Sequence, residues 1–136
     1  MVIGVWLFNI RMHIINSEYS DLIREIILEH LRKRLSRDYK EIKINKPGES
    51  KFEFKGHYPD IILGNHGLVL ALLEVETAEN ITEKQADKWK SLSGLGAKLI
   101  LMIPKDMKVK VTELLWAKGL MDKVSIGTYE ISVTMP

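Results

Sequence analysis

The chain has 136 residues, 46% of them hydrophobic and 28% charged, with 20 Lys and Arg against 18 Asp and Glu and a formal net charge of +2. A chain of this length reads as one domain, residues 1–136, that buries roughly two-thirds of the surface its unfolded form would expose. With no cysteine, disulfide frameworks, thiolate zinc sites and cysteine nucleophiles are excluded, which suits a cytoplasmic, reducing compartment, and no run approaches the roughly 18 apolar residues of a membrane helix.

The first apolar stretch, Val2-Ile3-Gly4-Val5-Trp6-Leu7-Phe8, reads as a buried strand from its β-branched and aromatic content, and it lacks the basic lead and small-residue cleavage site of a secretory leader. From Ser17 the period changes. Tyr19, Leu22, Ile23, Ile26, Ile27, Leu31 and Leu35 recur at three- and four-residue steps, predicting a helix with one apolar face. Ser17 or Ser20 can cap it, Glu18 and Asp21 suit its positive first turn, and Arg32 to Arg34 its negative last turn. Residues 30–46 hold seven basic side chains (Arg32, Lys33, Arg34, Arg37, Lys40, Lys43, Lys46) against Asp38 and Glu41. Such a patch can attract phosphates by releasing counterions, or it can simply close the helix and keep its surface solvated.

Lys46-Pro47-Gly48-Glu49 marks a turn between a short strand near Ile42–Ile44 and another beginning near Phe52. Two apolar runs, Ile61 to Leu63 and Leu68 to Leu73, flank Gly64-Asn65-His66-Gly67 and predict a β-hairpin. The second run is apolar on both faces, so it should be a central strand. A helix from about Thr82 follows, with Ala86, Trp89 and Leu92 on one side and Gly94 as its stop. Then come a strand over Leu99–Ile103 ended by Pro104, a helix from about Asp106 to Lys118, and a strand region from about Val124 to Val133. Trp6, Trp89 and Trp116 read as core. The order describes an α/β fold, a mixed sheet flanked by helices.

Asp60, Glu74 and Glu76 adjoin strongly apolar strands, where an unpaired charge is costly. Their cooperation depends on register. An even hairpin loop sends Asp60 and Glu74 to opposite sides of the sheet, whereas an odd loop or a bulge makes them diagonal neighbours roughly 7–8 Å apart, close enough to share one cation. Hard oxygen ligands without Cys or clustered His point to Mg²⁺ or Mn²⁺ rather than zinc. The alternative is that Asp60 is a turn residue and that Glu74 and Glu76 mark where the strand emerges into water. Gln85 fits a capping box with Thr82.

Pro59-Asp60, thirteen intervening residues and Glu74-x-Glu76, in a helix–strand–strand–strand–helix–strand order, resemble the PD-(D/E)xK nuclease superfamily with its restriction-endonuclease-like fold. The resemblance covers about Tyr19 to Ile103. It implies an αβββαβ core and a Mg²⁺-dependent nuclease that hydrolyses DNA, with Asp60 and Glu74 as metal ligands and Glu18 of the first helix as a further ligand. Gln85 and Trp89 are similar to the Gln-x-x-x-Tyr element of the branch that includes Holliday-junction-cleaving enzymes. Glu76 stands where family members usually carry Lys, so Lys84 or Lys88 would substitute from the helix, with Glu76 as ligand or water-positioning base. The same departure fits an inactive nuclease-fold module that binds nucleic acid or a protein partner. On the nuclease reading Arg32, Arg34, Arg37 and Lys40 track the DNA backbone, and cutting both strands favours a homodimer.

Overall fold

The computed structural model describes residues 17–131, the side chains of Ser17 and Glu18 excepted; the predicted first strand with Trp6, and the end of the last predicted strand, lie outside that range. Helix α1 (Ser17–Leu35) lays Ile27, Leu28, Leu31 and Leu35 on one face of a sheet that has five strands among the described residues. Ser20 is not its cap, because it is buried within the helix and its hydroxyl lies 2.6 Å from Thr77 Oγ1.

Strands β1 (Glu41–Ile44), β2 (Ile61–Asn65), β3 (Leu68–Val75), β4 (Lys98–Pro104) and β5 (Val124–Tyr129) lie in that spatial order. The first three are antiparallel, and β3, β4 and β5 run parallel. Helices α2 (Glu83–Ser93) and α3 (Lys108–Lys118) make the parallel connections and pack together on the face away from α1. Alternation along β3 divides its side chains. Ala71, Leu73 and Val75 meet α1, while Leu72 joins Ile62, Leu99, Leu101 and Ile103 beneath α2 and α3. A central strand covered on both faces is what its unbroken apolar run predicts.

The β2–β3 hairpin closes through His66 (φ 54°) and Gly67 (φ 77°), a two-residue loop with both residues left-handed. The loop is even, yet the register shifts between Leu63 and Gly64: Gly64 pairs with Val69 and Leu63 with Ala71, leaving Leu70 unpaired as a bulge. A Cβ on Gly64 would sit 2.5 Å from the Leu68 carbonyl oxygen, so the bulge needs glycine there.

Two expectations are corrected. The segment from Phe52 forms no strand, only a bridge between Phe54 and His57. Its backbone is held instead by the buried Asn45, whose amide donates to the Phe52 and Pro59 carbonyls and whose oxygen accepts from the Lys51 and Phe52 N–H groups. Trp116 is not core: it is 68% exposed, on the outer side of α3 with Val109 two turns before it.

Candidate carboxylate site

The site lies where β3 ends and β2 begins, under α2. Pairing of Leu63 with Ala71, Ile62 with Leu72 and Ile61 with Leu73, carried one residue further, sets Asp60 opposite Glu74. The bulge at Leu70 therefore does more than make the two acids diagonal neighbours, as an odd register would: it brings them face to face, on the side of the sheet that Leu72 and Ile62 share with α2. Glu74 is fully buried, Asp60 is 5% exposed and Glu76 2%.

Asp60 is well satisfied. Arg24 Nη2 donates to its Oδ1 at 2.7 Å, and the Val75 N–H donates to its Oδ2 at 2.8 Å. Glu74 is not. Neither of its oxygens has a hydrogen-bond partner among the described residues, although the Lys88 ammonium nitrogen approaches Oε1 to 3.3 Å as an ion pair. Burial holds the Glu74 carboxyl well above the usual carboxylate range; the neighbouring Asp60 pushes it further, and Lys88 pulls it back. Glu76 accepts a hydrogen bond from Gln85 Nε2 at 2.9 Å on Oε1. Desolvation pushes the Glu76 carboxyl from 4.5 to about 7 against the opposing bond from Gln85. Its main chain is pinned too, for the N–H donates to the Met102 carbonyl and the carbonyl accepts from the Tyr129 hydroxyl at 2.6 Å. Burial raises the Tyr129 hydroxyl above its ordinary value, keeping it a donor. The Trp89 indole N–H is buried with no partner at hydrogen-bonding geometry among the described residues, yet it faces Glu76 and favours its charged form.

Gln85 thus divides the roles that its spacing leaves open. The Thr82 hydroxyl accepts from the Gln85 backbone N–H, which is half of a capping box, while the Gln85 side chain turns to Glu76 instead of returning to Thr82. One turn on, Lys88 reaches the site, whereas Lys84 is exposed and makes no ion pair among the described residues.

The basic residues do not gather there. Arg32, Arg34, Arg37 and Lys40 are exposed, and the Lys40 N–H donates to Asn65 at the hairpin end of β2. Five strand residues separate Asn65 from Asp60 by about 16 Å, and eight helical residues put Arg32 about 12 Å along α1 from Arg24. The Glu18 side chain lies outside the described residues. Sequence reasoning missed Arg24, and a signal for it exists: Ser20, Arg24, Ile27, Leu28, Leu31 and Leu35 form one helical stripe. Polar residues at the start of a buried stripe need partners, and here these are Thr77 and Asp60.

Among the described residues no three His, Asp or Glu side chains converge closely enough to enclose a metal ion by themselves. Among the described residues the cluster is instead a charge-unbalanced one, in which Asp60, Glu74 and Glu76 face the cations Arg24 and Lys88. One carboxylate is in excess, to be neutralised by a proton or by a cation from outside. Comparison with protein-family models, curated proteins and solved structures gives no significant match to this chain.

Proposed function

We propose that the protein is a Mg²⁺- or Mn²⁺-dependent nuclease that hydrolyses DNA phosphodiester bonds, with a restriction-endonuclease-like αβββαβ core. The observation that carries this reading is Glu74: a fully buried carboxylate with no hydrogen-bond partner on either oxygen among the described residues, set opposite Asp60. A buried acid that has no hydrogen bond, faces a second acid and is met only by a half-exposed lysine at 3.3 Å is destabilising unless something else binds it. The order α1-β1-β2-β3-α2-β4 supports the fold assignment, and so does the position of the acid pair at the end of the central strand.

The donor set fits a hard divalent ion. It consists of oxygens alone, and Mg²⁺ commonly keeps several waters while using one or two carboxylates, so Asp60 and Glu74 suffice without a third acid. Bound there, such an ion would polarise the phosphodiester and lower the pKa of an attacking water. The chain's own residues do the rest. Gln85 fixes Glu76 Oε1, and a carboxylate with a pKa of about 7 is suited to accept the proton of a positioned water near neutral pH. Lys88, 44% exposed with its ammonium on Glu74, brings positive charge from the helix to where the superfamily's lysine would act from the strand. A cut in both strands would take two copies of the chain, one site each.

Cleavage of plasmid and branched DNA, measured with Mg²⁺ or Mn²⁺ and with chelator, tests the reading. Hydrolysis should require the metal and disappear in Glu74→Ala, while Asp60→Ala should lose Mn²⁺ binding. Glu76 in place of the motif lysine favours one second reading, a catalytically inactive module of the same fold; Mn²⁺ binding and DNA binding without cleavage would select it.

A further inference from the structure

Arg24 is used by the fold only in part. A guanidinium carries five N–H donors in a rigid fork. Of these, Nη2 meets Asp60 Oδ1 at 2.7 Å, and Nε is buried with no partner among the described residues. An arginine whose role ended at Asp60 would place its fork on both carboxylate oxygens. Here only Nη2 bonds Asp60, through Oδ1, while Oδ2 accepts from the Val75 N–H. The side chain reaches from α1 to Asp60 at the start of β2 and still keeps 21% of its surface in water, so it is not sealed inside the fold.

What could use it is constrained by charge. An anion arriving alone would meet a cluster in which the carboxylates Asp60, Glu74 and Glu76 outnumber Arg24 and Lys88, and the excess negative charge would oppose it. An anion that comes with a divalent cation satisfies both sets of open groups, the cation at the Glu74 oxygens and the oxyanion at the guanidinium. Resting on the nuclease reading, we propose that Arg24 anchors a non-bridging oxygen of the phosphodiester at the Asp60–Glu74 pair while its Nη2 holds Asp60. The role is specific to arginine. A lysine could keep the charge on Asp60 but would have no second edge to offer a phosphate.

Arg24→Lys is therefore the informative variant, with Arg24→Gln beside it so that either folded protein decides. Binding of a labelled DNA duplex would be followed against salt in Ca²⁺, and Mn²⁺ binding would be titrated without DNA. Arg24→Lys should bind DNA about tenfold more weakly with a slope of log K against log salt shallower by about 0.9, the signature of one lost phosphate contact. Its Mn²⁺ affinity should not fall. Wild-type DNA affinity and salt slope in Arg24→Lys would overturn the proposal, as would loss of Mn²⁺ and DNA binding together, which would make Arg24 only a brace for Asp60. A wild-type protein that binds neither Mn²⁺ nor DNA would instead remove the nuclease reading itself.

Discussion

Replacing Glu76 with Gln probes the electrostatics of the site without touching its packing. Gln is isosteric with Glu, its side-chain oxygen can still accept from Gln85 Nε2, and the main-chain bonds to Met102 and Tyr129 are untouched. What changes is titration. The folded protein holds the Glu76 proton up to a pH of about 7, while the unfolded chain releases it near 4.5. Between those values the native state binds more protons than the unfolded one, so stability is greatest below 4.5, declines as pH rises, and levels off above 7. The decline attributable to this group is about 3 kcal/mol, from roughly 1.4 kcal/mol per tenfold change in proton affinity. Urea unfolding followed by tryptophan fluorescence at pH 5 and pH 8 in chelator reads it directly. Glu76→Gln should decline less than the wild type over that interval, and at pH 8 it should be the more stable protein by about 3 kcal/mol. Parallel stability profiles for the two proteins would mean that Glu76 is ionised in the fold at neutral pH and that the assigned cause, desolvation, is wrong.

Other residues give expectations of different kinds. Gly64→Ala should be destabilised by about 1–3 kcal/mol and should lose Mn²⁺ affinity, because the new Cβ would meet the Leu68 carbonyl oxygen at 2.5 Å and the bulge that sets Asp60 opposite Glu74 would have to shift; a variant with wild-type metal binding would refute that link. Asn45→Ala removes four hydrogen bonds to backbone groups and should cost about 2–4 kcal/mol, with limited proteolysis moving to residues 46–59. Trp116→Gln should change stability by less than about 0.5 kcal/mol, whereas Trp89→Ala, at a fully buried position, should cost about 3–5 kcal/mol.

The parts of the fold that were legible in the sequence are those fixed by burial period. The helix at Ser17, the hairpin, the doubly apolar β3 and the α2 stop at Gly94 all follow from where apolar residues recur. The sequence was silent where a single polar side chain replaces a regular ladder. Asn45 does so by capturing the backbone of residues 51–59, and the pattern around Phe52 and Phe54 then mimics a strand that does not form. Register was legible only as a choice. Loop parity alone leaves Asp60 and Glu74 on opposite sides, and the bulge that reverses this depends on a close approach at Gly64 that no local propensity encodes. Trp116 misleads for a related reason: composition says that tryptophans are usually inside, but α3 is apolar beyond the one face it can bury.

Glu74 is where stability and function pull in opposite directions, and Glu74→Gln separates them. In the metal-free protein the ionised carboxylate is fully buried, lacks a hydrogen bond among the described residues and faces a second acid, with the Lys88 ammonium at 3.3 Å as its ion-pair partner. An amide of the same shape removes the charge from this setting. Lys88 would lose its partner, but at 44% exposure its ammonium can be hydrated at small cost. At pH 8 the metal-free variant should therefore be more stable than the wild type, because the folded wild-type protein holds the Glu74 proton more tightly than the unfolded chain and loses stability as pH rises. With Mn²⁺ added the order should reverse: the wild type gains stability with metal concentration by mass action, and Glu74→Gln gains none. A glutamate kept for structure alone would make the variant less stable in both conditions. Opposite signs in the two conditions arise only if the acid is a burden to the fold that a cation relieves, and melting curves of the two proteins with chelator and with Mn²⁺ are enough to distinguish the cases.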